Sequence, residues 1–249
     1  MIIDTHTHLD NEKFTEDIDE VIKRAKKVGV EKFIIPAADP KDLPRAVELA
    51  NSYEEIYFAI GFHPLDIDKF DENLIICFIT HPKCIAVGEI GLDYYWVKEP
   101  SQRLKQIELF HKQIKIAKKY DKPIIVHIRE AIEDSVKVIE TYPNVKGVFH
   151  CFNASERLLK FSDRFYYGIG GVITFKNAKK LINVFPKIPK NRVVIETDAP
   201  YLTPHPYRGK RNEPMYTTLV RDKIAELWGV EAKEVEEITT QNAKELFKI

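Results

Sequence analysis

Eight short runs of apolar, β-branched residues alternate with longer segments of helical periodicity from one end of the chain to the other. No other feature constrains the fold as much. A strand, an amphipathic helix and a further strand build a right-handed parallel unit, and repeated units build a parallel α/β sheet. The expected strands are residues 2–9, 32–37, 56–62, 85–90, 123–128, 147–152, 165–170 and 192–198. The expected helices are 16–28, 43–51, 72–80, 102–120, 131–141, 156–161 and 178–184, then 215–228 and 233–247 after the last strand. The stretch PHPYRGKRNEP between them is the one long irregular segment, which in a compact domain marks a functional loop. Eight units admit a closed (β/α)8 TIM barrel or an open doubly wound sheet. The 249 residues match one barrel of about 250, so a single α/β domain over 1–249 is expected.

Composition excludes more than it selects. Lys plus Arg and Asp plus Glu number 38 each, so no global positive field draws the chain to nucleic acid or membrane, and an anionic substrate must be gripped locally. Three cysteines without CxxC spacing argue against a disulfide framework and for buried thiols in a reducing compartment. The opening MIIDTHTHLD has no charged leader and no apolar run, and no later stretch approaches the roughly 18 apolar residues of a membrane span. A soluble cytoplasmic protein is expected, with no membrane contact and no obligate protein partner.

Polar residues that interrupt the strand ends carry the chemistry. In DTHTHLD, alternate residues share a side, so His6 and His8 point together and can chelate one ion, with Asp4 one layer deeper. Glu89 ends the fourth strand in AVGEIGLD, His127 the fifth in IIVHIR, His150 the sixth in GVFHCF and Asp198 the eighth in VVIETDAP. Burying each of these alone would be costly, and a metal would compensate all of them. In a barrel the ends converge on one mouth, whereas an open sheet would string them across several strands, so the barrel is preferred.

Six ligands exceed one tetrahedral structural site, so two divalent ions are expected: His6, His8 and Asp198 on one, His127 and His150 on the other, Glu89 as bridge. A pair about 3.5 to 4 Å apart would activate water, with Asp198 as general acid and base. The ligand types admit Zn, Mg, Mn, Ni or Fe. Asp4 and Glu196 are expected to orient imidazoles. His63, in AIGFHP, is expected either to contact substrate or to pack locally before Pro64. Cys151 adjoins His150, but strand parity points it to the opposite face, which argues against a Cys and His pair.

Taken together, DTHTHLD, GEIGLDYY, PIIVHIRE, the HCF of FHCFNAS, and ETDAPYLTP with RGKRNEP resemble the TatD family of metal-dependent deoxyribonucleases over nearly the whole chain. The closing QNAKELF is similar to the family's last helix. The resemblance implies an amidohydrolase-like barrel, a ligand pattern falling on the same six residues, and hydrolysis of DNA phosphodiester bonds, often as a 3'-5' exonuclease on single strands or ends. It also admits other ester bonds, including removal of D-amino acids from tRNA. The chain departs from the family at Asn153 and Ala154, where members commonly carry Ser and Gly. Phosphate needs donors near the mouth, and Arg129, Arg208, Lys210, Arg211 and Asn212 are the candidates. Tyr94, Tyr95 and Trp96 are placed either to stack on unpaired bases or to cap the core. Two alternatives stay open: an amide or lactone hydrolase on the same site, and a non-catalytic metal-binding protein. The fourth strand end offers no lysine for carboxylation, which favours the phosphodiesterase over the amide or lactone reading.

Overall fold

The structure, a computed structural model, describes residues 1–37 and 39–249. Eight parallel strands form one sheet in sequential order: β1 (Ile2–Asp4), β2 (Val30–Ile35), β3 (Ile56–Ile60), β4 (Cys84–Asp93), β5 (Ile124–Arg129), β6 (Gly147–Phe149), β7 (Phe165–Ile169) and β8 (Val193–Ile195). The sheet closes where the segment after β1 meets the segment after β8. Thr5 N donates to the Ile195 carbonyl at 3.0 Å, Asp198 N to His6, and His8 N to Ala199. Thr7 and Ala199 complete a parallel bridge.

The helices are α1 (Ile18–Lys27), α2 (Leu43–Ser52), α3 (Glu72–Phe78), α4 (Pro100–Lys119), α5 (Ile132–Glu140), α6 (Lys179–Val184), α7 (Thr217–Trp228) and α8 (Ala232–Phe247). α1 shows why they wrap the sheet: Ile18, Val21, Ile22 and Ala25 recur at helical spacing and are all buried, while its lysines face water. Residues 156–161, expected as an α-helix, form a 3-10 helix instead.

Two apolar clusters define the architecture. One joins the outward strand faces to the helices. The other takes inward residues from every strand, including Ile3, Ile34, Ala59, Ala86, Ile125, Val148, Tyr166 and Val194, and adds Ala243, Leu246 and Phe247 of α8. Residues from all eight strands touch one another only inside a closed barrel, so α8 plugs the end where the strands begin. Among the described residues, no helix is long and apolar enough to cross a membrane.

The strands differ from expectation mainly at their ends. β1, β6 and β8 stop at Asp4, Phe149 and Ile195, so His6, His8, His150 and Asp198 lie just beyond regular strand. β4 runs three residues further than expected, to Asp93. The thiols differ too: Cys84 is buried, but Cys77 is exposed on α3 because it falls on the helix face opposite buried Ile75.

Candidate metal centre

At the end where the strands finish, the segment 5–8 is stitched between β2 and the chain after β8, and this fixes two imidazoles at the rim. His6 is almost fully buried, and neither of its ring nitrogens has a hydrogen-bond partner. Its Nε2 lies 3.4 Å from Glu89 Oε2 and 3.8 Å from Asp198 Oδ1. His8 Nε2 lies 3.3 Å from the same Asp198 oxygen. The His6 ring stacks on that of His150 with centroids 3.4 Å apart. Across the mouth, His127 Nδ1 is 2.8 Å from Glu89 Oε1 and its Nε2 is 3.1 Å from Asp93 Oδ2. His63 Nε2 and His150 Nε2 approach Glu89 Oε1 at 3.7 and 3.9 Å, and His150 Nε2 is 3.8 Å from Asp198 Oδ1.

His6, His8, Glu89, His127, His150 and Asp198 therefore meet in one cup. A mouth of about 270 Å³ opens over it, with Asp39, Asp66, His63 and Tyr201 on its walls. His63 sits inside the cluster with Glu89 and His127, close enough for the three to share one ion.

The supporting residues are less symmetrical than the sequence suggests. Glu196 Oε1 lies 3.2 Å from His150 Nδ1 and accepts the Cys151 amide at 2.6 Å. Gly168 makes this possible, because a Cβ there would collide with the Glu196 carboxylate. Asp4 instead accepts from Thr197, at 2.6 Å from Oγ1 and 2.9 Å from N, so it braces the chain after β8 and orients no imidazole ring. Asp93 is the residue that sequence reading missed. It shares strand parity with Glu89, and a fourth strand read through GEIGLD would have found it.

The charge balance of this cup calls for a cation. Burial pushes the Glu89 carboxyl up, but the imidazoles of His150, His127 and His6 outweigh burial and hold it well below the usual range. Asp198 is likewise lowered against the effect of burial by its contact with His8 and by the charges of His150, His8 and His6. Burial alone would lower His150, yet Glu196, Glu89 and Asp198 push it up to about 10. His6 goes the other way, lowered by burial and by His150. His63 falls to about 4, chiefly through burial. Buried carboxylates thus draw positive charge that the imidazoles supply only by protonating. The unpartnered ring nitrogens of His6 and Oε2 of Glu196 remain as free donor atoms. Such a donor set fits divalent cations.

The expected phosphate donors separate. Arg129 is exposed at the mouth, its guanidinium 3.9 Å from the Tyr95 ring centroid. Arg208 lies over Phe175 and donates to the Thr203 carbonyl, and Lys210 is exposed near Tyr207. Two expectations need correction. Arg211 is bound by Asp17 and Glu213, which neutralise it. Asn212 is fully buried and donates its amide to the Thr197 and Tyr201 carbonyls, so it ties down the loop and does not reach the mouth. Parity also fails for Cys151. The strand has ended, φ at Cys151 is +44°, and Cys151 and His150 line the same cavity. Burial and the charges of Asp198, Glu196 and Glu89 raise the thiol well above its ordinary value, which weighs against a thiolate nucleophile there. Tyr94 is buried and donates to Asp134, whereas Tyr95 and Trp96 are exposed.

Comparison with known proteins agrees with this geometry. The family described as TatD related DNase matches residues 3–248. The uncharacterized metal-dependent hydrolase YabD of Bacillus subtilis is 46% identical, with 100% of each chain covered. The uncharacterized metal-dependent hydrolase YcfH of Escherichia coli K12 is 34% identical over 100% of this chain and 96% of its own. The crystal structure of the TatD homologue YjjV from Escherichia coli K12 superposes with a TM-score of 0.91 at 32% identity, covering 100% of this chain and 98% of that one. An uncharacterized amidohydrolase from Saccharomyces cerevisiae shares the fold at 20% identity and a TM-score of 0.88, over 99% of both chains. With a closed eight-stranded barrel, a cup of imidazoles and carboxylates at its mouth and a family match from end to end, the chain belongs to the TatD family of metal-dependent hydrolases.

Proposed function

We propose that this protein hydrolyses phosphodiester bonds of DNA, acting 3'-5' on single strands or ends, with two divalent ions held by His6, His8, Glu89, His127, His150 and Asp198. The position of Glu89 carries this reading. Its Oε2 faces His6 at 3.4 Å while its Oε1 faces His127 at 2.8 Å, so one carboxylate serves two neighbouring imidazole groups. We assign His6, His8 and Asp198 to one ion and His127 and His150 to the other; the His150 ring lies stacked on His6, and His63 lies beside His127. Ions bound there would supply Lewis acidity toward a phosphoryl oxygen and bring the pKa of water near neutral.

The chain's own residues do the rest. Asp198, kept ionised by His8, takes the proton of the attacking water and returns it to the leaving oxygen. Glu196 steadies His150, and Asp93 steadies His127. Arg129, Arg208 and Lys210 offset the phosphate charge at the rim. The three free thiols fit a reducing cytoplasm as the place of work.

The test uses protein stripped of metal and reloaded separately with Mg, Mn, Zn, Ni or Fe(II). It is given 5'-labelled single-stranded DNA, a lactone and a D-aminoacyl ester. Metal-dependent shortening of DNA from its 3' end is expected. Turnover of the lactone or the aminoacyl ester with the DNA left intact would overturn the proposal.

A further inference from the structure

A cavity of about 440 Å³ adjoins the metal centre between the loops after β5, β6, β7 and β8. One side is formed by His127, His150 and Asp198, and the far wall is apolar, with Phe152, Val172 and Leu181. Its size falls within the roughly 300–1,000 Å³ of small-ligand pockets. Arg129 stands at the edge. Its guanidinium is stacked 3.9 Å from the Tyr95 centroid and 5.8 Å from that of Trp96, and among the described residues it pairs with no carboxylate. Asn153 also lines the cavity, donating once to the Ile128 carbonyl and accepting once from Ser155 N. Each amide atom therefore keeps capacity for one more bond.

An apolar slot with a planar, aromatic-backed cation at its rim and a two-way amide inside suits a flat heterocycle with a polar edge. We infer that this cavity takes the nucleobase of the nucleotide at the scissile bond. The inference rests on the phosphodiesterase reading. A base still paired in a duplex has to leave its stack to enter, which selects single strands and frayed ends.

The metal-loaded protein is given two DNA strands that differ only at the 3' terminus, one ending in thymidine and the other in an abasic nucleotide. The thymidine end is expected to be removed on the order of tenfold faster, as the loss of one stacked base implies. Val172→Trp, which fills the cavity from a partly exposed position, brings the two rates together. Should that variant not fold, exposed Arg129→Lys keeps the charge without the plane and also narrows the ratio. Equal removal of both ends by the unaltered protein overturns the base pocket and leaves the phosphodiesterase reading standing. Cleavage of neither strand overturns both.

Discussion

At the end where the strands begin, Ala243, Leu246 and Phe247 of α8 close the barrel against a ring of apolar side chains from all eight strands. At the other end, the same cross-section is filled by His6, Glu89, His150 and Glu196, all buried and several of their polar atoms unpartnered. One end gains stability from area removed from water, and the other forgoes it by burying groups that would rather be hydrated. The lesson is a division of labour: substitutions at the plug should change folding and spare chemistry, while substitutions in the cup should do the reverse.

The largest effect expected is on chemistry. Asp198→Asn removes a negative charge and a proton carrier while keeping the shape, so DNA hydrolysis should fall by roughly 10³-fold or more. Circular dichroism should be unchanged, and the unfolding midpoint without divalent ions should fall only modestly, since the imidazoles around Asp198 favour its ionised form. A variant that loses its fold along with its activity would break the contrast between the two ends.

Phe247→Ala is the counterpart at the plug. Phe247 is 3% exposed, and truncating a buried Phe costs about 3–5 kcal/mol through lost transfer energy and the cavity left behind. Denaturant unfolding should show that loss, while kcat/KM measured well below the melting point should stay within about twofold of the parent. A large drop in kcat/KM in the folded variant would mean that the two ends are coupled.

Divalent ions offer a third probe. An ion that binds only the folded cup stabilises by about 2.7 kcal/mol at a concentration of 100 times its Kd. The melting temperature should therefore rise with added Mn or Zn, and the rise should shrink in Asp198→Asn, which loses a ligand of one of the two ions, and persist in Phe247→Ala. An equal rise in both variants would place the ion elsewhere.

The difference between the two ends also governs what was legible in the sequence. The eight strand and helix units followed from periodicity, because inward and outward residues alternate wherever the strand is regular, and the closed barrel followed from the need to bring the polar strand ends to one mouth. His127 was readable by the same alternation, since it lies inside regular strand, while Glu89 lies within β4 at the point where its register against β5 shifts. Beyond the strand ends the rule lapses. The chain turns inward through positive φ at Cys151 and Asp198, so the parity argument for Cys151 failed. Asp93 was missed because the fourth strand was expected to end at residue 90, although β4 continues to Asp93. Arg211 and Asn212 were misplaced because their partners come from elsewhere in the chain. Asp17 is 194 residues from Arg211, and no local pattern announces such a pair.

Gly168→Ala would test how closely the cup is fitted. The new Cβ would run into the Glu196 carboxylate, which must then withdraw from His150 and from the Cys151 amide. Leaving that buried amide unbonded costs about 1–3 kcal/mol. The expected result is a matching loss of stability with a fall in metal affinity measured by titration. Unchanged affinity would mean that Glu196 does not position His150.

The smallest effect belongs to the loop 204–214. Arg211 and Arg24 hold the Asp17 carboxyl at about 2, below its ordinary 3.8. A depressed folded value means that the ionised pair stabilises the protein above about pH 4 and that this contribution disappears as the pH falls from about 4 toward 2. Asp17 is about a third exposed, so solvent screening holds the contribution under about 1 kcal/mol. Asp17→Asn should therefore lower the melting temperature slightly at pH 7 and make no difference near pH 2, where the parent has lost the pair as well. It also loosens Arg211, which then keeps Glu213 as its only carboxylate among the described residues, and metal-dependent DNA hydrolysis at pH 7 should stay at the parent rate if that residue is structural. A faster rate in this variant would mean that the loosened guanidinium reaches the phosphate, and the loop would then have to be counted with the cup.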